Sequence, residues 1–179
     1  MVVLLVSVYL LVRRMAIPIE GPALTAMPLE ERVPLGTEFA LPDLEGKLVQ
    51  WSDLRGQPVL LNIWATWCYP CRAEMPSLHM LYQTYHDRGL EVLAVAVDTR
   101  GKEVVAPFVR AYRLTFPVLL DPQNMLGARL QIHGIPTTYL LDKRGRLVGF
   151  EVGARDWQAR SVRLLVEQLL AEEGGGPTP

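Results

Sequence analysis

Short apolar runs alternate with amphipathic stretches along most of this 179-residue chain. "PVLLNIW" (58 to 64), "EVLAVAV" (91 to 97), "FPVLL" (116 to 120) and "TTYLL" (137 to 141) are strand-length, and the first two are continuous enough to be buried on both faces of a sheet. Between them the period lengthens to three and four. Residues 68 to 87 place Met75, Leu78, Leu81, Tyr82 and Tyr85 on one helical side, and residues 102 to 112 do the same with Val104, Val105, Phe108, Val109 and Tyr112. "RLVGFEVG" (146 to 153), behind the turn "DKRG", forms a hairpin with the strand before it. A last helix is predicted from Asp156, as its N-cap, to Glu172, with Val162, Leu165, Val166, Leu169 and Leu170 on one stripe. Ahead of the first long strand, "FALPDLEGKLVQWSDL" predicts a small hairpin turning at Glu45-Gly46. The fold class is therefore α/β, with a central mixed sheet, helices flanking it and an extra N-terminal β-hairpin.

The ends of the chain follow other rules. "MVVLLVSVYLLV" is apolar up to Arg13 and Arg14, but its 12 residues cover roughly 18 Å of a hydrocarbon layer about 30 Å thick. Residues 1–16 are read as a partial membrane anchor or signal-anchor whose start lies upstream. Residues 17–35, with four prolines and one glycine between 17 and 34, read as an extended linker. The globular domain is expected over residues 36–173, and "GGGPTP" (174–179) as a disordered tail.

Composition narrows the function classes. Eighteen Lys and Arg against 19 Asp and Glu give a formal net charge of −1, so no basic field favours nucleic acid. The chain has two cysteines, both in "NIWATWCYPCRAEMP". Cys68 follows a buried strand and falls at the start of a helix, where unpaired N–H groups and the positive dipole end stabilise a thiolate. Cys68 thus reads as the exposed nucleophile and Cys71, one turn further in, as the shielded resolving thiol. The spacing also allows a disulfide that opens and closes by thiolate attack. Structural zinc would need ligands beyond His79, His86 and His133 that the spacing does not supply. A static disulfide and a peroxidatic thiol supported by Thr66 stay open as alternatives. Glu74, three residues after Cys71, shares its helix face and reads either as a proton acceptor for that thiol or as a solvated first-turn glutamate. Pro76 should kink the helix. Pro70 removes one N–H from the neighbourhood of the Cys68 sulfur, which makes the thiolate less stable and the couple more reducing. Trp67 is expected to cover the thiols and Trp64 to pack in the core.

Together, "WATWCYPCRAEMP" and "GIPTTYLLDKRGRLV" resemble the thioredoxin superfamily and, within it, the membrane-tethered thiol-disulfide oxidoreductases of the ResA/TlpA type, over roughly residues 36 to 172. The resemblance implies a thioredoxin-like fold, Cys68 and Cys71 as attacking and resolving thiols, and Glu74 as a functional acid. It implies a cis-proline at Pro136, which by itself would read as an ordinary trans turn. Trp67, Tyr69, Pro70, Ile135 and Pro136 would then contact substrate. Asn62 stands where cytoplasmic thioredoxins place a buried acid, a departure from that branch. No cofactor beyond the redox-active cysteine pair and no metal is implied. Expected partners are client proteins with disulfides or thiols, such as apocytochrome c or copper-site proteins, and a membrane thiol electron donor of the DsbD/CcdA type. The domain is expected on the extracytoplasmic face, in cytochrome c biogenesis or oxidase assembly. Peroxiredoxin-like peroxidase and client- or metal-binding assembly module are the alternative readings.

Overall fold

The computed structural model describes residues 26–173, so the expected anchor and tail lie outside the described residues. Seven strands and four helices follow in order: β1 (Ala40–Pro42), β2 (Leu48–Gln50), β3 (Val59–Trp64), α1 (Tyr69–Tyr85), β4 (Glu91–Ala96), α2 (Lys102–Tyr112), β5 (Val118–Leu120), α3 (Met125–Arg129), β6 (Thr137–Leu141), β7 (Leu147–Val152) and α4 (Arg160–Ala171). Five strands form one sheet in the order β5-β4-β3-β6-β7. β3 runs parallel to β4, and β4 to β5, across helical connections, whereas β6 is antiparallel to both β3 and β7.

Each face of the sheet has its own core because strand side chains alternate. Leu60 and Trp64 point into a cluster with Cys71, Met75, Leu78 and Leu81 of α1 and Val162, Leu165, Val166 and Leu169 of α4. Val59, Leu61 and Ile63 point the other way, against Phe39, Trp51 and Leu126. The predicted hairpin, β1 with β2, supplies part of that second cover. Its turn is set by Gly46 at φ +88° and by Asp43, whose carboxylate accepts from the N–H groups of Glu45 and Lys47 at 2.9 and 2.8 Å.

Two expectations shift. Residues 27–35, assigned to the extended linker, are docked as a strap on the outer edge of β7. Met27 N donates to Val148 O at 2.7 Å, Leu147 N to Val33 O at 2.7 Å and Leu35 N to Gly145 O at 3.2 Å. Arg32 anchors the strap. Its guanidinium, almost fully buried, donates to both carboxylate oxygens of Glu172 at 2.8 and 2.9 Å and to Asp142 at 3.3 Å. Burial opposes the charge on Asp142, but hydrogen bonds from Arg146 and Arg144 outweigh it and hold the carboxyl below its ordinary range. The second shift concerns the last helix. It starts at Arg160 rather than Asp156, because Trp157 is drawn back to α1, with its backbone N–H donating to Ser77 Oγ at 3.2 Å. Asp156 instead caps the turn at Gln158 N, at 2.9 Å.

Arg32→Ala should lower stability by about 2 kcal/mol or more, since it leaves Asp142 and Glu172 without their shared cation. Denaturant unfolding of the two chains at neutral pH measures this. Asp142 is held in its charged form on folding, so its contribution is present above its ordinary value of 3.8 and is lost as the pH falls below it.

Candidate active site

β3 ends at Trp64, fully buried, and the chain turns through Ala65, Thr66 and Trp67 into α1. Asp98, buried at the end of β4, fixes that turn. It accepts from Thr66 N at 3.0 Å and from Thr66 Oγ1 at 2.6 Å. Cys68 is the N-cap of α1 and is joined to Cys71 in a disulfide, with the sulfurs 2.06 Å apart. Cys71 N donates to Cys68 Sγ at 3.2 Å, whereas Pro70 has no N–H to offer. One backbone donor therefore serves a sulfur at a position where two are ordinarily available. Cys68 is 5% exposed and Cys71 fully buried, which fits an outer attacking sulfur and an inner resolving one.

The opposite wall is Ile135 and Pro136, whose peptide bond is cis. Ile135 O lies 3.6 Å from Cys68 Sγ. The wall is tied down from behind by Gly153 N, which donates to Pro136 O at 2.8 Å, and by Thr137 Oγ1, which donates to Gly134 O at 2.7 Å. Tyr69 is 79% exposed and Trp67 69% exposed. Both aromatic side chains next to the thiols in sequence thus face solvent, and Trp67 is not buried against them as a cover. Trp64 packs against Phe108, ring centroids 5.0 Å apart.

Glu74 is buried at 2% exposure, so it is no solvated first-turn glutamate. Its Oε1 accepts from Asn62 Nδ2 at 2.9 Å, and its Oε2 from Trp157 Nε1 at 2.9 Å and Arg155 N at 3.2 Å. Burial raises its pKa to about 7 against those hydrogen bonds from Trp157, Asn62 and Arg155, and Glu151 adds like-charge repulsion. The carboxyl thus exchanges its proton near neutrality, as a general acid or base requires. It sits on the same helix face as Cys71, one turn along. Asn62 also donates to Thr138 Oγ1 at 2.8 Å, and its Oδ1 has no hydrogen-bond partner among the described residues.

The structure therefore brings Cys68, Cys71, Pro70, Ile135 and Pro136 together and buries Glu74 one helical turn beyond the inner thiol, with Trp67 and Tyr69 exposed on either side of Cys68 in sequence. His79 bonds Thr115 at 3.0 Å, and the ring of His86, just past the end of α1, lies 4.5 Å from that of Tyr82. Sequence reasoning missed Asp98 and Trp157. No local signal marks either, because Thr66 lies 32 residues from Asp98 and Glu74 lies 83 from Trp157. Among the described residues no group of three His, Cys, Asp or Glu side chains gathers where a metal ion could be held.

Residues 33–149 match the AhpC/TSA family. The thiol-disulfide oxidoreductase ResA of Bacillus cereus is 38% identical over 127 residues, 69% of this chain and 73% of its own length. ResA of Geobacillus thermodenitrificans is 42% identical over 110 residues, 62% of this chain and 63% of its own. Among solved structures, StoA from Bacillus subtilis superposes with a TM-score of 0.61 at 27% identity, covering 74% of this chain and 96% of that one. A secreted thiol-disulfide isomerase from Corynebacterium glutamicum gives 0.74 at 27% identity, covering 86% and 95%.

The pKa of Glu74 predicts an unusual stability profile. The folded chain holds the proton more tightly than the unfolded chain, so stability falls as the pH rises from about 4.5 to 7, by about 3 kcal/mol in all. In Glu74→Gln this slope should vanish, which denaturant unfolding of the oxidised chain at successive pH values between 4 and 8 will show.

Proposed function

Because the chain belongs to the AhpC/TSA family of thioredoxin-like proteins, and within it is a thiol-disulfide oxidoreductase of the ResA type, we propose that it works as a reductase of disulfides in extracytoplasmic client proteins. The observation that carries the direction is the single backbone donor at Cys68 Sγ, with proline at the neighbouring position. A thiolate so sparsely stabilised makes the dithiol the less stable form and the couple a donor of electrons.

In this reading the groups act in the following order. Cys68 thiolate attacks one sulfur of the client disulfide, and the mixed disulfide forms as the other client sulfur leaves. The client backbone lies along Ile135 and Pro136, between the exposed residues Trp67 and Tyr69 and the turn at Pro70. Cys71 then gives its proton to Glu74 and attacks Cys68 Sγ, closing the intramolecular disulfide and releasing the second client thiol. A membrane thiol donor of the DsbD/CcdA type resets the pair. The N-terminal segment tethers the domain on the extracytoplasmic side, and the clients are haem-attachment cysteines of apocytochrome c or copper-site cysteines of an oxidase. The resemblance to the ResA/TlpA type supports these partners and this location.

The peroxidatic alternative draws on Thr66 as the hydroxyl that would assist Cys68. That hydroxyl donates to Asp98 at 2.6 Å, so the group is already engaged elsewhere. An assembly module that holds clients without exchanging electrons is separated from the reductase by a trapping variant.

The full chain equilibrated in dithiothreitol buffers should show a reduction potential of roughly −230 mV or lower, on a scale where thioredoxin lies near −270 mV. A value near about −120 mV would make it an oxidant and overturn the argument from Pro70. In cells, Cys71→Ser should accumulate a client joined to Cys68 as a mixed disulfide. A Cys71→Ser chain that instead retains full function would favour the assembly module.

A further inference from the structure

Trp157 belongs to no motif in the sequence, yet it is 1% exposed and its indole N–H ends on the carboxyl of Glu74. The two oxygens of that carboxyl are held in different ways. Oε2 receives two N–H donors, from the Trp157 ring and the Arg155 peptide. Neither can accept a hydrogen bond in return, and neither can turn, since one is a ring edge packed in the core and the other is backbone. A proton on Oε2 would point at an N–H. Oε1 receives one donor, the amide of Asn62, and a side-chain amide can reverse. The Asn62 oxygen is now buried without a partner. A half-turn of the amide would set that oxygen between Glu74 Oε1 and Thr138 Oγ1, the two atoms its nitrogen now contacts at 2.9 and 2.8 Å. Both could then donate an O–H to it. The amide therefore suits Oε1 with or without a proton, whereas the indole suits Oε2 only without one.

We propose that Trp157 is a positioning residue for disulfide exchange, pinning Oε2 of Glu74 as the oxygen that never carries the proton and leaving Oε1, faced by the reversible amide of Asn62, as the oxygen that does. This rests on the reading of Glu74 as the proton acceptor for Cys71. In the resolving step the proton leaves Cys71 Sγ for Glu74 Oε1 and the Cys71 thiolate attacks Cys68 Sγ. The Cys68–Cys71 bond forms, and the bond between Cys68 and the client breaks. The client sulfur leaves as a thiolate, so the enzyme dithiol gives up the two electrons that reduce the client disulfide and is itself oxidised to the Cys68–Cys71 disulfide. A surface cleft opens beside Glu74, lined by it and by Ala73, Ser77, Ala154, Arg155 and Asp156.

Few other charges face this group. From β7, Glu151 opposes the carboxylate and is itself paired with Arg155 Nε at 3.1 Å. The segment before α4 brings Arg155 and Asp156 to the cleft. β3 and β6 contribute only the neutral Asn62 and Thr138, and α1 adds Cys71 and Ser77, whose hydroxyl donates to Glu74 O at 2.9 Å.

The test loads the full chain with glutathione on Cys68 and follows its release by Cys71 as a function of pH. For the unaltered protein the release rate should rise through a midpoint set by Glu74, and Glu74→Gln should lack it. Trp157→Phe keeps an aromatic ring but has no N–H, and should move the midpoint up by about one pH unit. An unmoved midpoint in Trp157→Phe, with the midpoint lost in Glu74→Gln, would overturn the role of Trp157 while leaving Glu74 as proton acceptor. A midpoint that persists in Glu74→Gln would overturn both. One readout needs no variant that might fold poorly. In the reduced, indole-labelled chain the N–H resonance of Trp157 should shift with the same midpoint, and a resonance that stays flat from about pH 5 to 9 would overturn the proposal.

Discussion

A carboxyl group buried beneath a reactive thiol must be satisfied from several directions at once, and the burial of Glu74 sets that requirement here. An unpaired charge in such a place would be prohibitive. Its donors come from two separate parts of the chain: Asn62 on β3, and Arg155 and Trp157 in the loop between β7 and α4. Satisfying the carboxyl therefore holds α1 against the sheet and the C-terminal segment against α1. Trp157 also fills the core with its ring, so one side chain serves packing and the proton site together. The delayed start of α4 is the local cost of that arrangement.

The thiols are set by a different device. A continuous buried strand delivers the chain to a helix N-terminus, and Asp98 holds the connecting turn through Thr66, so the geometry of Cys68 is fixed from the β4 side of the sheet. From the β6 side, Ile135 and Pro136 close the groove. Both sides lie at the ends of the strands that flank β3 in the central sheet, so a client bound there meets a rigid frame. The exposed rings of Trp67 and Tyr69 offer large contact area at little cost in side-chain entropy. Away from the thiols, the Arg32 strap closes part of the outer edge of β7, a strand that would otherwise leave backbone groups open to pairing with another chain. The strap thus joins the N-terminal segment to the last helix through Glu172.

Much of this was legible in the residue order. Strand and helix periods marked α1, α2 and the strands of the central sheet, because burial on a sheet or a helix face repeats every two or every three to four positions. The place of Cys68 at a helix N-terminus followed from the strand before it and the amphipathic run after it. The lost donor at Pro70 followed from proline chemistry alone. These are local properties, and local sequence carries them completely. The depth of Glu74, the engagement of Thr66 by Asp98 and the docking of residues 27–35 belong to another kind of information. Each rests on partners tens of residues away, and a hydrogen bond across such a span leaves no period or composition to read. Glu74 on one helix face fits a solvated residue and a buried acid equally well until the loop carrying Trp157 is folded over it. Residue order thus set the chemistry available at the active site, while packing set its proton affinity, since that depends on which distant groups exclude water and which donate in its place.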